Sequence, residues 1–184
     1  MKNEEKYNSA EKEKPPFLYH GSPHKEIGEL EPREKSVRDP NEGPQIFATQ
    51  ELSVATIFLL KGITSSGLFG DTPYAIIVGS REDVIKNDNG VHIYVLPSDK
   101  FKSDPHKGLG QYEWTTDEKV KPIKKIEYKS AIDAMLENGV QVYFMDEGTH
   151  QMIRNSKDHG FSILNSMESE NMRRGVNVKH LGKD

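Results

Sequence analysis

The chain has no cysteine. That absence excludes disulfides, thiolate nucleophiles and every zinc site built on sulfur, and leaves only histidine and carboxylate sites open to a metal. Long apolar runs are missing too. None approaches the roughly 20 residues that a bilayer-spanning helix needs, and the first residues lack the basic-then-apolar profile of a secretory leader. No membrane partner is expected, and a cytoplasmic location is the default. Surplus positive charge is the third absence: 25 basic residues face 29 acidic ones, for a formal net charge of -4. With little counterion release to gain on a phosphate backbone, strong non-specific nucleic-acid binding is not expected. No internal repeat is visible.

What is present is enough for one domain. A chain of 184 residues can bury a core without cross-links. Its composition, 34% hydrophobic and 29% charged, lies on the polar side for a globular protein, yet runs such as Tyr74 to Val78 and Val140 to Met145 are core material. Residues 1–15 read as a flexible charged tail, because lysine and glutamate dominate and little apolar surface offsets the ordering entropy. The folded domain is expected over 16–166. Residues 167–184 read as a polar C-terminal tail, loose from Glu168 onward.

Within the domain, Pro15-Pro16 bars a helix and delivers an extended Phe17-Leu18-Tyr19-His20. Residues 23 to 45 carry four prolines and form a long loop, a feature often tied to function. Ile46-Phe47-Ala48 reads as a strand, and Thr49 can cap a helix over Gln50 to Leu60. Gly62 to Gly70 reads as a glycine-containing turn. Strands follow at Tyr74 to Gly79 and His92 to Leu96, with turn chemistry at Asn87 to Gly90. After a loop from Pro97 to Gly110, Gln111 to Thr116 and Ile123 to Tyr128 read as strands. Ser130 to Asn138 reads as a helix stopped by Gly139, and Val140 to Met145 as a buried strand. Ile153 to Leu164 is expected to add a helix and a short strand.

Three signals occur in a fixed order: the aromatic-His-Gly-Ser run Tyr19-His20-Gly21-Ser22, the strand Ile46-Phe47-Ala48-Thr49 leading into a helix, and a late Gln111-Tyr112-Glu113 at the start of a strand. A glycine backbone offers a donor and an acceptor without side-chain obstruction, and an imidazole can bond a sugar hydroxyl. A carboxylate suits a step in which positive charge develops on a sugar carbon, since it stabilises the transition state over the ground state. Gln111 lies two residues before Glu113, so on a strand both project from one face. Glu118 and Glu127 compete for the carboxylate role. His20 and His24 have the spacing of a metal pair only on a helix, which Gly21-Ser22-Pro23 opposes, so no metal is expected. Gly67-Leu68-Phe69-Gly70 lacks the Gly-Lys-Ser/Thr ending of a phosphate loop.

Over roughly Phe17 to Tyr128 this order resembles the ADP-ribosyltransferase superfamily, in the branch of diphtheria-type toxins, poly(ADP-ribose) polymerases and rifamycin-modifying enzymes. The resemblance implies an α+β fold with a split, mostly antiparallel pair of small sheets and NAD as co-substrate in the cleft between them. It implies that Tyr19, His20, Gly21, Ser22, Phe47, Thr49 and Phe58 bind NAD. His20 would orient the adenine-side ribose, and Gly21 would pair with the nicotinamide carboxamide. It further implies that Glu113 is catalytic and that Gln111 faces the acceptor; Arg33 and Arg38 in the long loop have the guanidinium forks to meet a pyrophosphate, with solvated loop charge as the other reading. The usual tyrosines align with Ile46 and near Ile57, leaving Phe47 and Phe58 as the nearby rings. The acceptor stays open among protein, nucleic acid and small molecule. Two alternatives stand beside a toxin-like transferase: a non-catalytic NAD or ADP-ribose-binding module, and an NAD-consuming RNA 2′-phosphotransferase-like enzyme.

Overall fold

Apolar alternation and local turn chemistry generate most of the elements. The computed structural model describes residues 14–176 other than Arg38 and Asp71, so the expected tail over 1–15, the end of the C-terminal tail and the suggested role of Arg38 lie outside the described residues, apart from Lys14 and Pro15. Strand β1 (Phe17–Ser22) pairs antiparallel with β5 (Val91–Pro97), which pairs antiparallel with β8 (Lys124–Tyr128). A second sheet has the order β2 (Ile46–Ala48), β7 (Trp114–Thr116), β6 (Lys102–Ser103), again antiparallel. The third joins β3 (Ser65–Phe69) antiparallel to β4 (Thr72–Val78), and β4 parallel to β9 (Gln141–Met145). The class is α+β with split sheets, and the split is into three sheets of three strands where a pair was expected.

The first two sheets are joined at one point. Tyr19 N–H donates to the Thr49 carbonyl at 2.7 Å and Thr49 N–H returns to the Tyr19 carbonyl at 2.9 Å. Leu18, Tyr94 and Leu96 from one sheet pack with Ile46, Ala48 and Trp114 from the other. Helices α1 (Leu52–Ile57) and α3 (Ala131–Glu137) cover β4 and β9, burying Ile57, Met135 and Leu136 against Ala75, Ile77 and Val142. The start of α3 is held twice over, because Ser130 Oγ accepts from Asp133 N–H while Asp88 accepts from the N–H groups of Ala131 and Ile132 at 2.7 and 2.9 Å. Gly139, at φ 82°, ends it in the left-handed conformation that glycine adopts freely.

Several segments differ from expectation. β3 occupies the stretch read as a turn, since Ser65-Ser66-Gly67 carries little strand propensity and pairs only because β4 is beside it. Helix α2 (Arg81–Asn87) has no fully buried residue; only Val84 and Ile85 pack, half-buried, against the core, too short a stripe to read as a helical period. Gln111 sits in a one-turn 3-10 helix, Gly110–Tyr112, and only Trp114–Thr116 is strand. The region from Ile153 holds the end of α4 (Glu147–Asn155) and α5 (Phe161–Ser166), with no strand.

The largest correction concerns the C-terminal tail. Helix α6 (Glu170–Arg173) docks on the domain, with Ser169, Glu170 and Asn171 all buried. Arg81 Nε and Nη2 donate to the two Glu170 oxygens at 2.8 and 2.9 Å, Arg173 adds a bond at 3.0 Å, and Arg174 reaches Asp133 at 2.6 Å. The Arg81 hydrogen bonds hold the Glu170 carboxyl below its ordinary value of 4.5, against the opposing effect of burial. A buried carboxylate needs such partners, and a bidentate guanidinium supplies them. Glu170→Gln is expected to lower stability by roughly 2 kcal/mol, the scale of a hydrogen bond to a charged group, read as a lower urea midpoint with unchanged slope.

Candidate functional site

The strongest geometric constraint on the cleft is His20. Its Nδ1 lies 2.7 Å from the Phe47 carbonyl. A carbonyl only accepts, so Nδ1 carries the proton and Nε2 presents a lone pair. Burial pushes the His20 pKa below its ordinary 6.5, outweighing the Phe47 carbonyl, which favours the charged ring; the Arg33 guanidinium adds to the lowering. The ring is therefore neutral near pH 7, with an acceptor nitrogen fixed by the backbone of β2.

His20 and Phe47 form a wall between two cavities. The larger, about 300 Å³, is lined by Tyr19, His20, Gly21, Phe47, Ala48, Thr49, Phe58, Leu109, Tyr112 and Glu113. The smaller, about 90 Å³, includes Ser22, Arg33, Gln45 and Ile46. The structure thus brings together seven of the residues singled out from sequence in the larger cavity. Ser22 lies on the other side of the wall, where its Oγ accepts from His24 N–H at 3.2 Å. Arg33 shares that second compartment.

Each wall residue has a local cause. Gly21 is a packing requirement, since a Cβ there would run into the Ala55 carbonyl of α1; its backbone borders the cavity because the helix leaves no room for a side chain. Ile46 is buried at 3% exposure and borders only the smaller cavity, whereas Phe47 lines both. Phe58 follows α1 and is 55% exposed beside the buried Ile57, so it belongs to the cleft mouth and not to the core. Thr49 does not cap α1. Its Oγ1 accepts from Glu51 N–H at 3.1 Å, and Glu51 itself occupies the cap position without a side-chain bond.

Glu113 arrives by the β2–β7 register. Ala48 is opposite Trp114, so one step further out Thr49 and Glu113 flank the same opening. The Glu113 N–H closes the 3-10 turn on the Gly110 carbonyl at 3.1 Å. Its carboxylate lies against Gly108, where a Cβ would collide with it and where φ is 54°. Lys107 bonds Asp39 at 3.0 Å and also contacts Glu42, tying this loop to the long loop that carries Arg33. The competing carboxylates stand elsewhere: Glu118 pairs with Lys100 and Glu127 with Lys125, both largely exposed.

Gln111 is exposed and does not line the cavity. On a 3-10 turn, a two-residue spacing does not place side chains on one face as it does on a strand, so the acceptor-side placement argued from that spacing fails. Leu109 and Tyr112 take the positions beside Glu113 and were not anticipated. The available signal was Gly108-Leu109-Gly110, a leucine held between two glycines of positive φ, which no core requirement explains. Among the described residues no group of three or more His, Asp or Glu is arranged to hold a metal ion, and no helix is long and apolar enough to cross a membrane. No family model, curated protein or solved structure matches this chain.

Two outcomes follow from these contacts. Gly21→Ala is expected to cost about 1–3 kcal/mol through overpacking against α1, measured by denaturant unfolding. Because the folded state disfavours a charged His20, the unfolded chain takes up a proton first as pH falls. Its contribution to stability is full above pH 6.5 and is lost progressively below that value down to the lowered folded pKa. Melting temperatures across this range should fall with acid in the unmodified chain and fall less in His20→Gln.

Proposed function

We propose that this chain is an NAD-consuming ADP-ribosyltransferase-like enzyme that cleaves the bond between nicotinamide and ribose and passes ADP-ribose to an acceptor. The observation that carries this reading is one cavity whose wall includes the neutral His20, the Gly21 backbone, the aromatic rings of Tyr19, Phe47, Phe58 and Tyr112, and Glu113. A cavity of about 300 Å³ is at the lower end of the range for small-molecule sites, and the second compartment beyond His20 extends it.

The residues present suit such a substrate. The Nε2 acceptor of His20 answers a ribose hydroxyl, and the Gly21 backbone answers a planar amide. Phe47 and Phe58 offer faces for an aromatic ring, a contact worth roughly 0.5–1.5 kcal/mol. Arg33 in the second compartment suits a pyrophosphate, since its fork matches phosphate oxygens. Glu113 provides the one carboxylate on the larger cavity, placed to stabilise positive charge developing at the ribosyl carbon as nicotinamide leaves.

The RNA 2′-phosphotransferase alternative needs several basic side chains facing the cleft. Among the described residues, Arg33 is the one lysine or arginine lining either cavity, which favours the transferase reading over it. The non-catalytic module has the two missing tyrosines on its side, since buried isoleucines, Ile46 and Ile57, stand at or near the places where the family has tyrosine.

Labelled NAD separates these readings. Nicotinamide release by the purified chain is expected, and Glu113→Gln is expected to slow it on the order of 10²–10³-fold while leaving NAD binding by calorimetry nearly unchanged. Binding without release in the unmodified chain favours the non-catalytic module, and absence of binding overturns both.

A further inference from the structure

One side chain joins the loops that border the two cavities. Lys107 Nζ donates to Asp39 Oδ2 at 3.0 Å and to Glu42 Oε1 at 2.5 Å. Asp39 and Glu42 lie on the long loop, where a tight turn, Glu42 N–H to the Asp39 carbonyl at 2.9 Å, presents both half-buried carboxylates to one ammonium. That loop also supplies Arg33 to the smaller cavity, whereas Lys107 lies on the segment that supplies Leu109, Tyr112 and Glu113 to the larger one. The hydrogen bonds to Glu42 and Asp39 hold the Lys107 pKa above its ordinary 10.5, so the lysine is charged at neutral pH.

Between Lys107 and Glu113 the main chain is a run of linked turns. Lys107 N–H donates to the Asp104 carbonyl at 3.1 Å, Gly110 N–H to the Lys107 carbonyl at 2.9 Å, and Glu113 N–H to the Gly110 carbonyl at 3.1 Å. Gly108 and Gly110, at φ 54° and 60°, permit this winding. The Gly108 backbone packs so closely on the Glu113 carboxylate that a Cβ there would collide with it. Lys107 is the residue next to that contact, so a clasp at Lys107 fixes the surface on which the carboxylate sits. The long loop has closures of its own: Ser36 N–H bonds the Arg33 carbonyl at 2.7 Å, Gln45 N–H bonds the Ser36 carbonyl at 2.9 Å, and Leu30 pairs with Val120. Loss of the clasp therefore falls on the Glu113 side more than on the Arg33 side.

We infer that Lys107 is a positioning residue, whose clasp on Asp39 and Glu42 holds the turn that seats the Glu113 carboxylate. The inference rests on the ADP-ribosyltransferase reading, in which Glu113 stabilises charge developing at the ribosyl carbon. Lys107 lines neither cavity, so its effect on the reaction passes through Glu113. Ion pairs in contact with water add little to folding stability, yet a misplacement of about 1 Å in a catalytic group costs on the order of 10²-fold in rate. The clasp therefore matters to turnover far more than to stability. Because salt screens such a pair, it also gives turnover an ionic-strength dependence that acts apart from NAD binding.

The test follows nicotinamide release from NAD by the full chain. Lys107→Met is expected to lower kcat by about 10- to 10²-fold, with the KM for NAD and the melting temperature nearly unchanged. Lys107→Arg, which keeps donors for both carboxylates, should recover most of the loss. Asp39→Asn combined with Glu42→Gln should reproduce it, and adding that pair to Lys107→Met should lower kcat no further, since members of one interaction are not additive. Raising sodium chloride from about 0.05 M to about 0.5 M should lower kcat of the unmodified chain and leave that of Lys107→Met unaltered. A second readout needs no turnover: chymotrypsin should cut beside Leu109 and Tyr112 faster in Lys107→Met than in the unmodified chain. Equal kcat in Lys107→Met, a loss confined to KM, or a loss matched by a fall in melting temperature overturns the positioning role. Equal cleavage overturns the hold of the clasp on the turn. Faster cleavage in Lys107→Met with no nicotinamide release from the unmodified chain overturns the transferase reading, and the role of Lys107 in turnover with it, while the clasp itself stands.

Discussion

The cleft depends on a short stretch of backbone pairing between β1 and the end of β2. The reciprocal bonds of Tyr19 and Thr49 join two otherwise separate sheets, and the His20 side chain adds a third bond to the same strand at Phe47. These contacts set the separation of the sheets where the cavity opens. Everything that borders it hangs from them: Phe47 by its place between the two, Glu113 by the register of β2 with β7, and Gly21 by its contact with α1. A cleft built on main-chain geometry keeps its shape when side chains at the mouth move, because the ladder bonds do not depend on side-chain identity.

Two different forces hold the remainder. Apolar packing accounts for the region between the first two sheets and for the region under α1 and α3. The attachment of α6 is chiefly electrostatic, a carboxylate enclosed by arginines from α2 and from its own helix. The loops at the cleft use a third device, an exposed lysine bridging two acidic residues on the opposite loop, which is weaker in water and screened by salt.

Much of the fold was legible because core strands and α3 carry local signatures: apolar runs, a serine cap, a terminating glycine. The parts that were not legible lack such signatures for physical reasons. β3 is strand by virtue of its neighbour, as Ser65 and Ser66 have no preference for it. α2 packs only the adjacent pair Val84 and Ile85, half-buried, against the core, so no helical period could register. Glu170 read as solvated charge, because its partner Arg81 is 89 residues away in sequence. At the site, the order of the motifs was legible, and His20 and Phe47 come to line one cavity. Gln111 was misplaced because the chain tightens into a 3-10 turn just before the strand begins, and Leu109 and Tyr112 were passed over because a polar, glycine-rich loop gives apolar residues no period to follow.

The shared wall of His20 and Phe47 makes the two compartments parts of one device. A single ring carries its donor nitrogen into the backbone and leaves one acceptor between them. Because the bond to the Phe47 carbonyl already holds that ring, a ligand reaching either compartment meets a partition set before it binds, and no binding free energy is spent on ordering it.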